Sequence, residues 1–304
     1  MTGTWPSNDS KEKHMNKQNT ILRLIMPQWQ GGNNPAYYFG AQLLAWLAPQ
    51  ASGPVETVNV LFDEKEQLKN ENGIVGRSQI VAQMHDARAR ITKHAPDALV
   101  VLGGDCLVDL VPFAYLQEKY RDDLGILWVD AHPDIMTSQE FAHAHATVLR
   151  ALMGEGDHDL TQFVPIPTKP NKIMFAGVNG ENEFEANFLK SRQMRICRPE
   201  EIKSKMSSIE QWIKEEQIKV LAIHLDLDVL SIAGFRALLF TNPNAPANAF
   251  AGIAQGQLTI AELLKIMQIA RENTEVVGMG IAEHLPWDAL NLKKMLSELP
   301  LLSA

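Results

Sequence analysis

The residues of this chain that can do chemistry gather in short runs, each following an apolar stretch. The clearest run is Asp130-Ala131-His132-Pro133-Asp134, directly after Ile126-Leu127-Trp128-Val129. An apolar stretch of that length reads as a buried strand, so its C-terminal end delivers three side chains able to hold a metal. Alternate residues share a strand face, and Pro133 predicts that the strand breaks into a loop at this point. Three other apolar stretches end in the same manner. Residues 98–102 close on Gly103-Gly104-Asp105-Cys106, residues 219–225 on Asp226-Leu227-Asp228, and residues 276–281 on Ala282-Glu283-His284. Buried carboxylates repel one another and are costly unless paired or bound to a cation. Four acidic strand ends in one sheet therefore predict a metal site. The donors are mostly oxygen with one imidazole, which favours Mn²⁺ over a structural zinc site. There are enough carboxylates for two ions that share bridging Asp residues and activate a water.

The elements needed to position these residues alternate along the chain. Strands are expected at 21–26, 55–62, 98–102, 126–129, 172–178, 194–197, 219–225 and 276–281. Helices are expected at 37–47, 78–93, 110–120, 145–153, 183–191, 199–216, 258–272 and 287–297. Such alternation predicts a parallel sheet covered on both faces, and in open parallel sheets ligands bind beyond the carboxyl ends of the strands. The stretches 30–35 and 234–257 read as long loops with room for a functional role. No Pro-, Gly- or Ser-rich linker divides the chain, so residues 20–304 are expected to form one α/β domain. Residues 1–19, polar and without an apolar core, read as a disordered extension rather than a secretory signal, with Met15 an alternative start.

Composition narrows the function classes. The 304 residues carry a formal net charge of −8 and are 45% hydrophobic. An acidic balance argues against nucleic-acid and anionic-membrane partners, and no apolar run is long enough for a transmembrane helix. Two cysteines, Cys106 and Cys197, suit a reducing, cytoplasmic setting.

In order and spacing, the motifs resemble those of the ureohydrolases, the arginase and agmatinase group. Asp130–Asp134 is similar to their Asp-Ala-His-x-Asp, His224-Leu225-Asp226-Leu227-Asp228 to their Ser-x-Asp-x-Asp, and Gly103-Gly104-Asp105 to their Gly-Gly-Asp-His. The resemblance implies a three-layer α/β/α fold with an eight-stranded parallel sheet, a dimanganese centre and a homo-oligomer. It implies hydrolysis of a guanidino C–N bond in arginine or a modified arginine, releasing urea or a urea derivative and an amine. By position, Asp130 and Asp226 would bridge two ions, with His132 and Asp228 completing one and Asp134 the other. His145 would shuttle a proton and Glu283 would hold the guanidinium of a small cationic substrate.

Several residues depart from the pattern. Cys106 stands where the family has a metal-binding His. It is either a softer ligand, which would admit Zn²⁺ or Fe²⁺ or a single ion, or a buried small hydrophobe. His224 replaces the usual Ser and reads as a packed strand residue rather than an extra ligand. The Asp-Pro after the second motif is Ser231-Ile232, and Met136 and Asn182 occupy positions that contact the amino-acid end of the substrate in arginases. Asn182 and Glu185 are therefore expected at the substrate mouth, and arginine itself is less secure than guanidino hydrolysis. His143 is the other candidate acid–base group if the register is displaced by two, although a solvated loop position suits it better. Trp128 and Cys197 read as packing residues. Two alternatives stay open: a catalytically impaired binding or regulatory protein, and a single-zinc deacylase on the same kind of fold.

Overall fold

A computed structural model describes residues 19–301. The expected extension lies outside the described residues except for Asn19, whose side-chain amide donates to Glu275 at 3.0 Å. Met15 also lies outside them.

Among the described residues ten strands form, in chain order β1 (Ile21–Met26), β2 (Val55–Thr57), β3 (Asn70–Glu71), β4 (Ile74–Val75), β5 (Ala98–Gly103), β6 (Leu124–Val129), β7 (Ile173–Ala176), β8 (Arg195–Cys197), β9 (Val220–Asp226) and β10 (Glu275–Ala282). The α-helices are α1 (Ala36–Leu47), α2 (Arg77–His94), α3 (Leu110–Tyr120), α4 (Val148–Leu152), α5 (His158–Thr161), α6 (Glu183–Ser191), α7 (Pro199–Ser204), α8 (Ser207–Glu215), α9 (Ile260–Asn273) and α10 (Trp287–Glu298). Eight strands make one sheet in the order β2-β1-β5-β10-β9-β6-β7-β8. Every pairing in it is parallel.

The central strands are apolar throughout because both of their faces are buried. Along β6, Leu124, Ile126 and Trp128 join the core on one side, while Leu127 and Val129 join the core on the other. Strand β9 alternates likewise, with Ala222 on the first side and Leu221, Ile223 and Leu225 on the second. The first core is closed by α2, α3 and α4 through residues such as Met84, Phe113 and Leu149. The second is closed by α7, α8 and α9 through Ile202, Trp212 and Ile266. The result is the expected three-layer arrangement. By strand alternation, Asp130 shares a face with Trp128, and Asp226 shares one with His224.

The structure corrects some boundaries. The strand expected over 55–62 pairs only at Val55–Thr57; beyond it Val58 and Val60 are buried as loop residues. The helix expected over 199–216 is two helices. Met206 has a φ of 47°, which ends α7 and turns the chain into α8. A small hairpin, β3–β4, was not expected. Its turn, Asn72-Gly73, has φ of 53° and 91°, and Asn-Gly is a strong two-residue hairpin signal. The short helix α5 was also not expected. Among the described residues, no helix is long and apolar enough to cross a membrane.

Candidate metal centre

The four strands that end in acidic residues, β5, β10, β9 and β6, are consecutive neighbours in the sheet. Their ends therefore lie side by side at one edge, although they are far apart in sequence. One donor atom each from Asp130, His132 and Asp228 lies within 4.8 Å of the others, as does one each from Cys106, Asp226 and Glu283, and one each from Cys106, Asp130, Asp134 and His224. All six residues expected as ligands are thus brought together. His224, read from the sequence as packing rather than as an extra ligand, belongs to the same cluster.

Local structure holds these side chains in place. Asp226 accepts from the amide of Asp228 at 2.6 Å as the chain leaves β9 in a short 3₁₀ turn. Asp130 accepts from the amide of His132 at 2.7 Å and from the indole Nε1 of Trp128 at 2.9 Å. His132 Nδ1 lies 3.0 Å from Asp228 Oδ2. Cys106 Sγ donates to Asp226 Oδ2 at 3.1 Å, with Glu283 Oε1 at 3.7 Å. Glu283 Oε2 accepts from the Tyr37 hydroxyl at 2.5 Å. Asp134 and Glu283 have φ of 48° and 64°. That backbone is strained for non-glycine residues, and such strain is concentrated where function fixes geometry.

Electrostatics makes the cluster unstable on its own. Two carboxylates about 4 Å apart repel by roughly 4 kcal/mol at an effective dielectric near 20. Burial first, and neighbouring carboxylates second, push Asp226, Asp134 and the Cys106 thiol well above their ordinary ranges. Glu283 is pushed up to about 8 by burial and by the charge of Asp228, with the Tyr37 hydrogen bond pulling the other way. Burial works against Asp228 as well, but the charge and hydrogen bond of His132 prevail, and its pKa falls. His132 rises in turn, because the two carboxylates beside it outweigh its own burial. Asp134 Oδ2 and the Nε2 atoms of His132 and His224 are buried without hydrogen-bond partners. Oxygen-rich donors, suppressed ionisation and orphaned polar atoms all fit a divalent cation.

The cluster opens into a cavity of about 710 Å³ whose lining includes Cys106, His132, Asp134, Asp226, Asp228 and Glu283. His145 lies on its wall. Its Nδ1 meets the Gly31 carbonyl at 2.9 Å, and a carbonyl only accepts. Nδ1 therefore carries the hydrogen, which leaves Nε2 as the exchangeable nitrogen. The loop bearing Gly31 also ties down Asp105, which accepts from the amides of Gly32 and Leu107, each at 3.1 Å. A Cβ on Gly31 would meet Asp105 Oδ1 at 2.6 Å. His143, expected in a solvated loop, is half-buried on the same wall, with its ring centroid 6.3 Å from that of His145. Asn182 and Glu185 line the cavity too, but they commit side-chain atoms to each other's backbone amides in the capping box that starts α6. Trp128 and Cys197 are fully buried. Sequence reasoning missed Tyr37, which no motif marks, and Asp109, which accepts from the buried His224.

Comparison with known proteins agrees with this fold. A model of the arginase family matches residues 48–291. An arginase of Staphylococcus aureus (strain MSSA476) is 24% identical over 184 residues, 58% of this chain, and the match spans only 59% of that relative's length. The structure of an Entamoeba histolytica arginase in complex with L-ornithine superposes with a TM-score of 0.73 at 18% identity, covering 88% of this chain and 91% of that one. A Bacillus caldovelox arginase superposes with a TM-score of 0.69 at 20% identity, covering 93% and 100%. The sheet order, the strand-end donor cluster and the span of the family match lead to one conclusion: this chain belongs to the arginase family.

Proposed function

We propose that this protein is a metal-dependent ureohydrolase that cleaves a guanidino C–N bond and releases urea, or a substituted urea, and an amine. The observation that carries the reading is Glu283. It is a buried carboxylate, braced by Tyr37 and set beside the donor cluster at the base of the cavity. A guanidinium matches a preorganised carboxylate in charge and in its planar array of donors. Cys106, Asp130, Asp134 and Asp226 would hold one divalent ion, and Asp130, Asp226, His132 and Asp228 a second, with Mn²⁺, Zn²⁺ and Fe²⁺ as candidates. Bound there, such ions supply Lewis acidity and an activated water.

The chain's own residues do the rest. Glu283 accepts hydrogen bonds from the guanidinium and orients its carbon toward the cluster, while Tyr37 fixes the carboxylate. His145, its Nδ1 hydrogen occupied by the Gly31 carbonyl, moves a proton through Nε2 to the departing amine as general acid. The far end of the substrate meets Met136 and the exposed rings and chains of Phe141 and Ile253. An apolar portion in the tail suits that lining better than the amino-acid end of arginine does. The acidic net charge and the two buried thiols accord with a cytoplasmic enzyme, and we retain a homo-oligomer as part of the reading.

The test is urea and amine release by divalent-loaded protein from arginine, N-hydroxyarginine, agmatine and guanidino acids, with Asp226→Ala as the control. Turnover of any member, lost together with metal binding in the variant, is the expected result. Full activity in Asp226→Ala would overturn the dinuclear model. The Cys106 thiol, hydrogen-bonded to Asp226, keeps a binding protein or a single-zinc deacylase as the second reading. Silence across the panel with metal confirmed present would select it.

A further inference from the structure

The pair formed by Asp109 and His224 has no part in that mechanism. His224 lies within β9, in register with Trp128 on β6 and Gly280 on β10. Its ring is fully buried and stacks on the Trp128 indole, with 3.7 Å between centroids and 11° between planes. Its Nδ1 lies 2.7 Å from Asp109 Oδ2. Asp109 reaches it because Gly280 has no side chain: a Cβ there would fall 1.8 Å from Asp109 Oδ2.

A carboxylate only accepts, so Nδ1 carries the hydrogen, and in the neutral ring Nε2 is the nitrogen with the free lone pair. That nitrogen has no hydrogen-bond partner and sits 3.9 Å from Asp130 Oδ2. One donor atom each from Cys106, Asp130, Asp134 and His224 lies within 4.8 Å of the others. Donors sharing one ion through bonds of about 2.0–2.3 Å stand roughly 3–4.6 Å apart, so a small inward shift of side chains is enough. Packing alone does not account for the arrangement. An apolar side chain would fill the space without burying a nitrogen that has nothing to bond.

We infer that His224 is a further metal donor, held in tautomer and orientation by Asp109, and that it adds an imidazole nitrogen to the ion held by Cys106, Asp130, Asp134 and Asp226. Carboxylate–histidine–metal relays of this kind fix the ring and raise its basicity. A thiolate and an imidazole on one ion favour Zn²⁺ over Mn²⁺, whereas the Asp130, His132 and Asp228 side is richer in oxygen. The two halves of the centre would then differ in metal preference. The inference rests on the centre binding metal, as proposed above.

The test uses the full chain, stripped by chelator and given one equivalent of Zn²⁺, in the wild type, His224→Asn and Asp109→Asn. Zinc affinity is measured by chelator competition, and ligand identity by X-ray absorption at the zinc edge. Affinity is expected to fall about 100-fold in His224→Asn and about 10-fold in Asp109→Asn. The sulfur contribution should persist in His224→Asn while the imidazole contribution drops. Affinity within threefold of wild type and an unchanged imidazole contribution in His224→Asn would overturn the inference and leave the metal centre standing. A wild-type protein that takes up no zinc or other divalent ion would sink both. Should His224→Asn fail to fold, Asp109→Asn, which keeps the ring and its surroundings, decides the matter: unchanged affinity refutes the relay.

Discussion

Replacing Tyr37 by Phe isolates the support of Glu283, because the ring stays and only the hydroxyl is lost. That hydroxyl makes a 2.5 Å hydrogen bond to Glu283 Oε2 in a fully buried setting. Hydrogen bonds to charged groups contribute about 1.5–3 kcal/mol, and each 1.4 kcal/mol is roughly tenfold in a rate or binding constant. If ionised Glu283 receives the guanidinium, Tyr37→Phe should lower kcat/KM by about 10–100-fold, mostly through KM. The same loss disfavours the carboxylate over the acid. If ionisation of Glu283 sets the acid limb of the kcat/KM profile, that limb should therefore move up by about 1–2 pH units. The assay is urea release across pH 6–10 on the best substrate of the panel, with circular dichroism to confirm the fold. A variant within twofold of wild type, with its acid limb unmoved, would refute both the role of Tyr37 and the assignment of Glu283 as the guanidinium anchor.

Two further outcomes follow from the same geometry. Glu283 holds its proton up to about 8 when folded, against an ordinary 4.5 for a solvated glutamate, so between those values the folded state binds more protons than the unfolded one. Stability of the chelated protein should therefore fall as pH rises through that window, by a few kcal/mol in all, since each pH unit of it removes about 1.4 kcal/mol. Asp105, raised to about 7 by burial, acts in the same direction, while His143 and His284, lowered by burial, oppose it only below about 6.5. Melting temperatures with and without divalent ion at pH 5 and pH 8 test this; a chelated protein that is more stable at pH 8 would contradict it. Gly31→Ala drives a methyl to 2.6 Å from Asp105 Oδ1 and should cost about 1–3 kcal/mol, with loss of turnover because the Gly31 carbonyl holds His145. Denaturant unfolding with an unchanged midpoint would show that the loop yields freely.

Six candidate ligands, and the strand ends that carry them, could be read from the amino-acid order alone. Asp130, His132, Asp134, Asp226 and Asp228 were legible because strand and turn formation are local, and an apolar run closing on alternate acids writes its geometry over a few residues. The alternation of strand and helix likewise dictated a covered parallel sheet. Where local pattern was weak or not heeded, boundaries were lost. The left-handed Met206 that divides α7 from α8 has no mark in the sequence, whereas the Asn72-Gly73 turn did have one. That β5, β10, β9 and β6 are neighbours emerged only from the folded chain, because parallel strands are joined by crossovers whose order no short window encodes. The same holds for contacts across long separations. Tyr37 reaches Glu283 over 246 positions, and Asp109 reaches His224 over 115. Each depends on a gap that another element leaves open, as Gly280 does for Asp109. A residue's type says what it can bond, but the packing of distant elements decides what lies within reach.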